Sequence, residues 1–407
     1  MAKAPRSSTP RSHGLNACDR LKVRTGFMAF GVSSIAQQNI QTWINMHACR
    51  ATSRKEPKLV QIQSETRALA HLLARYREPS TARGVFELAV TTLPFIAIWA
   101  LMAAALDHGY WIGLLLVAPA AGLLVRLFMI QHDCGHGSFF RGRLANDWVG
   151  RVIGVVTLTP YDYWRRNHAC HHAGSGNLDH RGLGDVDTLT VREFLARPRW
   201  RRLLYRLYRH PIVMFGAGPT YLFILRHRLP IGMMRRGWGP WLSTMGTNTA
   251  VAIVVAAISR LVGLGPFVLV HLPIMVLAAS IGVWLFYVQH QFEDTSWSRD
   301  EVWSFHEAAL HGSSHYQLPG VLRWFTANIG VHHIHHLCSR IPCYRLPDVL
   351  RDHPQFAAVG RITMLQSLQC VRLALWDEKQ RRLISFGEAL GARRSRHFIP
   401  VDSSVVG

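Results

Sequence analysis

Four long apolar segments constrain this chain more than any other feature of its sequence. A helix needs about 20 apolar residues to cross a bilayer, and each segment has close to that number. They run over about residues 88–106, 110–130, 241–258 and 266–288. Only three residues separate the first two segments, and a short turn separates the last two. We therefore predict two helical hairpins that cross a membrane.

The distribution of basic residues predicts how these hairpins are oriented. The segment between them, residues 131–239, has 17 arginines against 7 acidic residues. The turn at 107–109 has no lysine or arginine. Because basic loops near membrane spans stay on the cytoplasmic side, we expect a multi-pass membrane protein whose termini and central segment face the cytoplasm.

A net charge of +22 would also fit a nucleic-acid-binding protein. No nucleic-acid-binding motif accompanies this charge, so we expect no nucleic-acid partner and some attraction to anionic lipid. The run of arginines from Arg197 to Arg209 is expected to form a solvated face. Docking of an acidic electron donor on this run is the alternative.

The regions that flank the spans divide the chain into three parts. Residues 1–63 are basic and lack an apolar core long enough for a secretory signal, so we expect a disordered N-terminal extension. Residues 64–355 are predicted to form the membrane domain, starting with an amphipathic helix, and residues 356–407 a cytoplasmic C-terminal tail. The apolar stretches 148–160 and 211–225 are short for spans, so we expect them at the interface, with six spans as the alternative.

Three dense clusters of histidine, here called the histidine boxes, have the spacing of helix faces. They read HDCGH at 132–136, HACHH at 168–172 and HHIHH at 332–336. Residues three and four apart on a helix are neighbours, about 5–6 Å apart, so each box can present several imidazoles to one metal or to adjacent metals. With His290, directly after the fourth apolar segment, the candidate ligands are His132, His136, His168, His171, His172, His290, His332, His335 and His336.

Nine imidazoles are more than one metal ion can use. A structural zinc closes with four ligands and a catalytic zinc keeps about three, so the number indicates two metal ions. Imidazole ligation suits iron, copper, nickel and zinc, and spacing alone leaves the metal open. His132 and His290 each follow a span, which places them at one membrane surface, next to lipid chains. Attack on an alkyl C–H bond requires the redox chemistry of a metal cofactor.

These stretches resemble the membrane-bound fatty acid desaturases, and most closely the bacterial acyl-lipid desaturases of the delta-12 (omega-6) type. The resemblance extends from about residue 64 to the mid-350s. The matching stretches are HDCGHGSFF at 132–140, HACHH at 168–172, QHQFED at 289–294 and GVHHIHHLCSRIPCYRL at 330–346.

The resemblance implies an all-helical integral membrane enzyme whose cytoplasmic helical cap holds a non-haem di-iron centre. Its reaction would be oxygen-dependent removal of two hydrogens from a lipid-linked acyl chain, which forms a cis double bond. Electrons would come from a separate donor of the ferredoxin or cytochrome b5 type. The nine histidines would then be iron ligands, while His333 would fill a spacer position. Cys343 stands where similar proteins have Asn.

Acidic and aromatic residues near the boxes have predicted supporting roles. Carboxylates commonly orient metal-binding imidazoles, and the candidates are Asp133, Asp185 and Asp187. The aromatic residues of YDYW, Tyr161 to Trp164, are expected at the lipid interface, with a position along an acyl tunnel as the alternative. The histidines outside the boxes are expected to be ordinary polar residues.

Two other functions stay open at this point. A di-iron hydroxylase of acyl, alkane or carotenoid substrates would use the same centre. A non-redox membrane metal protein, such as a zinc protease or a metal carrier, is the more distant alternative. The sequence lacks the HExxH motif of such proteases, and its spans lack the paired charged residues expected of a carrier.

Overall fold

The computed structural model describes residues 68–182 and 184–396 of the 407-residue chain. The predicted N-terminal extension, residues 1–63, lies outside these residues. The predicted amphipathic helix is present as α1 (68–74), with Leu69, Leu72 and Leu73 on its buried side. These leucines pack with Ile334 of the third histidine box, so α1 supports the segment that carries that box.

The first hairpin consists of α2 (Thr81–Asp107) and α3 (Val117–His136), joined through a 3-10 turn. The helix of α3 continues beyond the predicted span, through the whole first box. It ends at Gly137, which has a φ of 65°. This left-handed conformation favours glycine and stops a helix, so α3 ends directly after the last histidine of the box.

A polar cap begins after α3. The second histidine box lies on α5 (Tyr161–Gly174), a helix whose first turn follows Pro160 and contains Asp162. Proline and an acidic residue are both favourable at a helix N-terminus, so the local sequence explains where α5 begins. The elements of this region are α4 (Arg143–Val156), α5 (Tyr161–Gly174), β1 (Leu189–Thr190), α6 (Val191–Ala196) and α7 (Arg199–Tyr208).

An irregular helical stretch follows α7, made of a π-turn at Val213–Ala217, a helical turn at Gly218–Thr220 and a second π-turn at Tyr221–Leu225. It lies against the second hairpin through Phe215, whose ring centroid is 5.0 Å from that of Trp284. We call residues 213–225 the π-segment. Its length and position agree with an interfacial stretch and not with a further span.

The second hairpin consists of α8 (Trp238–Val262) and α9 (Leu264–His290), which meet at Gly263. These two helices and the first hairpin are the four helices in the described residues that are long and apolar enough to cross a membrane. α9 packs on α3 through buried side chains such as Leu124, Ile130 and Ile274. The most apolar part of α8 contains no buried residue, so α8 lies at the outside of the bundle.

The rest of the described chain completes the cap. It folds as short helices and short strands, so the predicted all-helical fold is confirmed as mostly helical. The elements are α10 (Phe305–His311), β2 (His315–Tyr316), α11 (Gly320–Phe325), α12 (His332–Leu337), α13 (Leu346–Asp352), β3 (Arg361–Ile362), α14 (Met364–Cys370), β4 (Leu375–Asp377), β5 (Arg382–Ile384) and α15 (Phe386–Arg396).

The strands join the C-terminal part of the chain to earlier elements. β4 lies between β1 and β5, parallel to β1 with Leu189 opposite Leu375, and antiparallel to β5. β2 and β3 pair in parallel, with Tyr316 opposite Ile362. Residues 361–384 are therefore folded against the cap, and Trp376 is buried there. The domain boundaries at residues 63 and 355 stay predictions.

A buried ion pair joins the helices of the first hairpin. The guanidinium of Arg126 on α3 contacts the carboxylate of Glu87 on α2, and both side chains are about 95% buried. The same guanidinium donates to the hydroxyl of Thr91 at 3.0 Å and to the carbonyl oxygen of Trp324 on α11. Charged groups within membrane spans are costly unless paired, so this network links α2, α3 and α11 at one point.

Candidate metal centre

Four helices bring the histidines of the boxes together. The first box forms the C-terminal end of α3, and His290 is the last residue of α9. The second box lies on α5 and the third on α12, both in the cap. The cap ends of two spanning helices therefore meet two cap helices, and every predicted ligand lies at this junction.

The nine histidines divide into two groups. Within each group, the candidate ligand atoms all lie within 4.8 Å of one another. The five-histidine group consists of His132, His136, His168, His172 and His335, and the four-histidine group consists of His171, His290, His332 and His336.

Helix geometry explains which group each histidine joins. In the second box, His168 and His172 are four residues apart and belong to the five-histidine group, whereas His171 belongs to the four-histidine group. Side chains four apart lie above one another on a helix face, and an intervening residue points to one side of them. The third box divides in reverse: His332 and His336 join the four-histidine group, and His335 joins the five-histidine group.

The nitrogen–nitrogen distances show how closely the candidate ligand atoms approach one another. The Nε2 atom of His168 is 3.0 Å from that of His136 and 3.1 Å from that of His172. In the other group, the Nε2 atoms of His290 and His332 are 3.0 Å apart. Two nitrogens at these separations can both bind one ion at the usual nitrogen–metal distance of about 2.1 Å.

Burial lowers the pKa of several of these imidazoles and so favours their neutral form. Burial holds the pKa of His168 and that of His172 well below the usual value of histidine, and neighbouring imidazoles lower both further. The same two causes lower the pKa of the third-box histidines His332, His335 and His336. A neutral imidazole has a free lone pair for a metal ion, so the donor set suits metal binding at neutral pH.

Four of the nine histidines have a buried ring nitrogen without a hydrogen-bond partner among the described residues: His171, His332, His335 and His336. Two of these nitrogens are Nε2 of His171 and Nε2 of His336. Buried polar atoms in folded proteins nearly always have a partner. Since both nitrogens belong to the four-histidine group, a metal ion in that group would satisfy them, and the residues present therefore fit a bound metal.

Two of the three predicted carboxylates contact histidines of the groups. Asp133 Oδ1 lies 3.2 Å from Nδ1 of His132. Asp185 makes a short hydrogen bond with Nδ1 of His171. A carboxylate on Nδ1 leaves Nε2 free to face the metal and holds the ring in one orientation. Both contacts agree with the predicted orienting role, and the role itself stays a proposal.

Asp187 is not brought to the histidines. The described hydrogen bonds of this residue use its backbone: the N–H donates to the hydroxyl of Tyr208 at 3.1 Å, and the carbonyl oxygen accepts from Tyr205 at 3.2 Å. Two residues beyond Asp185, the chain has already turned towards β1. The proximity of these two aspartates in sequence therefore did not predict a shared contact.

The remaining histidines lie outside both groups. His333, the predicted spacer, is buried with Nε2 3.0 Å from the carbonyl oxygen of Phe356. Burial, followed by the neighbouring His315, lowers its pKa to about 3. Among the described residues, none of the following histidines belongs to a group of three or more potential metal ligands: His71, His180, His210, His227, His306, His311 and His315.

Two contacts at the site were missed by the sequence-based prediction. The Trp164 ring stacks on His168, with centroids 4.7 Å apart and planes 13° from parallel. Its position four residues before His168 on the same helix is a signal that could have indicated this contact. The Nδ1 atom of His290 lies 3.1 Å from the carbonyl oxygen of Gly312. No side-chain pattern reveals a backbone partner of this kind.

A cavity of about 750 Å³ adjoins the two groups. His132 and His168 of the five-histidine group and His332 of the four-histidine group line one part of it. The rest is mainly apolar, with walls from α3, α5, α9 and the π-segment. Trp164 is among the lining residues, so this aromatic residue of YDYW lies along the cavity, and its predicted position along an acyl tunnel stays a prediction.

Comparison with known proteins gives the family. Residues 109–367, more than half of the chain, match the fatty acid desaturase family. The chain belongs to the fatty acid desaturase family. A desaturase is an oxidoreductase, so the enzyme class predicted from the histidine boxes is confirmed. The family assignment also counts against a zinc protease or a metal carrier.

Individual relatives show how far the likeness extends. A fatty acid desaturase of Bacillus subtilis is 42% identical over 325 residues, which cover 80% of this desaturase and 92% of the relative. A Synechocystis sn-1 acyl-lipid omega-3 desaturase (ferredoxin) is 31% identical, over 66% of this chain and 74% of the relative. An sn-1 oleoyl-lipid 12-desaturase of Synechocystis is 28% identical, over 55% and 63%. The predicted likeness to the delta-12 type is therefore a distant one.

Proposed function

We propose that this desaturase holds two iron ions, one in each histidine group, and removes two hydrogens from a lipid-linked acyl chain with dioxygen as co-substrate. The product is a cis double bond. The proposed ligands are the five histidines of one group and the four of the other. The observation that carries the proposal is that one apolar cavity is lined by histidines of both groups.

The donor set supports iron as the metal. All nine proposed ligands are imidazoles, and nitrogen donors without thiolates suit iron. Iron, when bound, supplies the activation of dioxygen that breaking an unactivated C–H bond requires.

The residues of the cavity position the acyl chain and exclude water. Phe128 on α3 and Phe286 on α9 line the cavity, as does Trp164 on α5. Such walls bury an alkyl chain favourably, so the chain is held beside the histidines without a polar anchor near the reacting carbons. The stacked Trp164 also limits the movement of His168, and the carboxylates of Asp133 and Asp185 hold the rings of His132 and His171.

The substrate and the position of the double bond rest on the relatives. Two of them act on acyl lipids by name, which supports a lipid-linked acyl chain. The likeness to the oleoyl-lipid 12-desaturase supports a delta-12-like position. This likeness is weaker than that to the Bacillus subtilis desaturase, so product analysis is the deciding measurement.

Electrons come from a separate protein in this proposal. A ferredoxin is named for one relative, which supports a donor of that type, with cytochrome b5 as the alternative. The basic segment between the hairpins supports a cytoplasmic position of the cap and the histidine groups. A soluble donor of the cytoplasm would then reach the cap directly.

Lipid analysis after expression tests the proposal. The full-length chain is expressed in cells that make only saturated and monounsaturated acyl chains, and their lipids are analysed by gas chromatography and mass spectrometry. We expect a new double bond, at the delta-12 position of an 18-carbon chain. The variant His335→Ala, expressed at the same level, should give no new product. A double bond elsewhere would overturn the delta-12 position, and a hydroxy acid would overturn desaturation.

A further inference from the structure

Helix α7 has an apolar stripe that no part of the described chain covers. Trp200, Leu203, Leu204 and Leu207 repeat every three to four residues along α7, and each is more than half exposed. A soluble protein rarely exposes such a stripe without a partner. The stripe therefore indicates a surface on which something apolar lies.

Contacts on the opposite side of α7 determine where this helix lies relative to the membrane. The hydroxyl of Tyr205 donates to the carbonyl oxygen of Ala374 at 2.7 Å. The buried Arg209, directly after α7, donates to the side chains of Gln291 at 2.9 Å and Tyr287 at 3.2 Å. Tyr287 belongs to the last turn of the spanning helix α9, and Gln291 follows it. These contacts hold α7 where α9 leaves the membrane.

The apolar stripe continues into surfaces that face lipid. Ile212, between α7 and the π-segment, is exposed, and Tyr221 and Leu225 of the π-segment are exposed after it. Trp238 then begins the outer spanning helix α8 and is also exposed. Exposed apolar residues thus recur from α7 through the π-segment to the start of a membrane span, which indicates that lipid covers α7 too.

The charges of α7 select the kind of lipid. Arg199, Arg201 and Arg206 are exposed, and none forms an ion pair with any described residue. The helix contains no acidic residue. Arginines beside an apolar stripe are typical of interfacial helices, whose cations bind lipid phosphates while the stripe enters the acyl region. An acidic soluble protein would match the arginines but leave the leucines in water.

We propose that α7 is a docking surface for anionic phospholipids. Trp200, Leu203, Leu204 and Leu207 enter the outer part of the acyl layer, and the exposed arginines of α7 bind the phosphates. This surface adjoins the cavity, because Tyr208 at the end of α7 and Met214 in the π-segment line its wall. Lipid bound at α7 therefore lies beside the cavity in which we place the acyl chain. The docking itself does not depend on the proposed reaction.

Lipid enrichment tests the arginines. The full-length protein is reconstituted in vesicles of phosphatidylcholine and phosphatidylglycerol at a ratio of three to one, extracted in mild detergent, and its retained lipids are counted. Near an anionic surface, each arginine raises partitioning about fivefold. We expect the triple variant Arg199→Gln, Arg201→Gln and Arg206→Gln to retain at least about fivefold less phosphatidylglycerol than the wild type.

A matched control variant distinguishes the loss of the α7 arginines from a general loss of positive charge. Arg351→Gln, Arg361→Gln and Arg381→Gln remove three exposed arginines elsewhere in the cap, and we expect wild-type retention. Equal retention by all three proteins would overturn the proposal. If retention is unchanged while the α7 variant needs at least tenfold more of a plant-type ferredoxin for half-maximal turnover, α7 docks the electron donor instead.

Fluorescence quenching tests the apolar stripe independently of charge. The difference in emission between the wild type and Trp200→Phe gives the fluorescence of Trp200. Lipids brominated near the glycerol quench only an indole that reaches the acyl layer. We expect quenching of Trp200 equal to that of Trp238, which is measured with Trp238→Phe. Trp303, whose indole donates to the carbonyl oxygen of Ser175 in the cap, should be unaffected. A Trp200 signal as unquenched as that of Trp303 would overturn insertion of α7.

Discussion

The backbone N–H of Cys343 donates to the carboxylate of Asp133 across 2.6 Å. The other oxygen of this carboxylate lies 3.2 Å from Nδ1 of His132. Asp133 belongs to α3, and Cys343 follows the third box by a few residues. One buried carboxylate therefore joins a histidine of the first box to the segment that carries the third box.

Asp133→Asn should weaken metal binding in the five-histidine group. The amide has one acceptor oxygen in place of two, so it cannot serve both His132 and Cys343. Loss of such an orienting contact typically lowers metal affinity about 10–100-fold. We expect the iron content to fall by about one ion per chain after dialysis against a mild chelator, measured by plasma mass spectrometry.

Cys343→Ala is the matched control for this contact. The backbone N–H of Cys343 donates to Asp133, and the thiol also interacts with this carboxylate, so the substitution keeps the backbone donor while it removes the side chain. We expect the iron content of the wild type. An equal loss of iron in both variants would show that the packing near Cys343, and not the carboxylate, controls binding.

Substitutions of Asp185 and of Asp187 should have sharply different effects on iron content and turnover, although the two residues are only two positions apart. Asp185→Asn weakens the contact with His171 Nδ1, so we expect iron loss from the four-histidine group and at least about tenfold lower turnover. Asp187→Asn should leave both values unchanged, since the described contacts of Asp187 use its backbone. Iron content and turnover on the same protein samples measure this difference; equal effects would contradict it.

Gly282 on α9 should control how far an acyl chain enters the cavity. It lines the cavity, and a Cβ built on it meets no atom within 4 Å. It lies eight residues before His290, or about 12 Å along the helix. We expect Gly282→Leu to lower turnover of 18-carbon chains at least about tenfold relative to shorter chains, because the side chain fills the space of the distal carbons.

Gly246 on α8 provides the control for Gly282. A Cβ there also meets no atom within 4 Å, and Gly246 is exposed and not part of the cavity wall. Gly246→Leu should leave the chain-length profile unchanged. A profile that stays the same in Gly282→Leu would show that this part of the cavity does not receive the acyl chain.

Removal of one partner of the Glu87–Arg126 ion pair should lower the stability of the protein more than replacement of both partners by apolar residues. Glu87→Ala leaves a buried guanidinium without its carboxylate, which typically costs about 3–5 kcal/mol. We expect a clear drop in Tm in detergent. The double variant Glu87→Leu with Arg126→Met should recover most of it, since a paired replacement by apolar residues is often neutral. A double variant less stable than Glu87→Ala would contradict this.

Local periodicity predicted the spans and the histidines of the site. Apolar runs of sufficient length identify spanning helices, and the described residues contain four such helices at the predicted places. Helical spacing placed the boxes on helix faces, and position directly after the fourth span identified His290. These features depend on residues close in sequence, which is why they could be read directly.

Contacts between residues that are distant in sequence could not be predicted from the sequence. Neither the division of HxxHH boxes between two groups nor the backbone partner of His290 follows from spacing, because both depend on how α5, α9 and α12 approach one another. The pairing of Leu189 with Leu375 brings the C-terminal segment into the cap. The described hydrogen bonds of Asp187 use its backbone, although this residue is close to a candidate ligand in sequence, and its orienting role stays a prediction.

The metal content of the purified full-length protein tests the di-iron proposal most directly. Protein isolated from iron-replete cells should carry two irons per chain, one for each histidine group, and its Mössbauer spectrum should show coupled non-haem iron. His335→Ala and His336→Ala, which alter different groups, should each lose iron, whereas His333→Gln should keep both ions. Zinc as the main metal, or full iron occupancy in both His335→Ala and His336→Ala, would contradict the proposed centre.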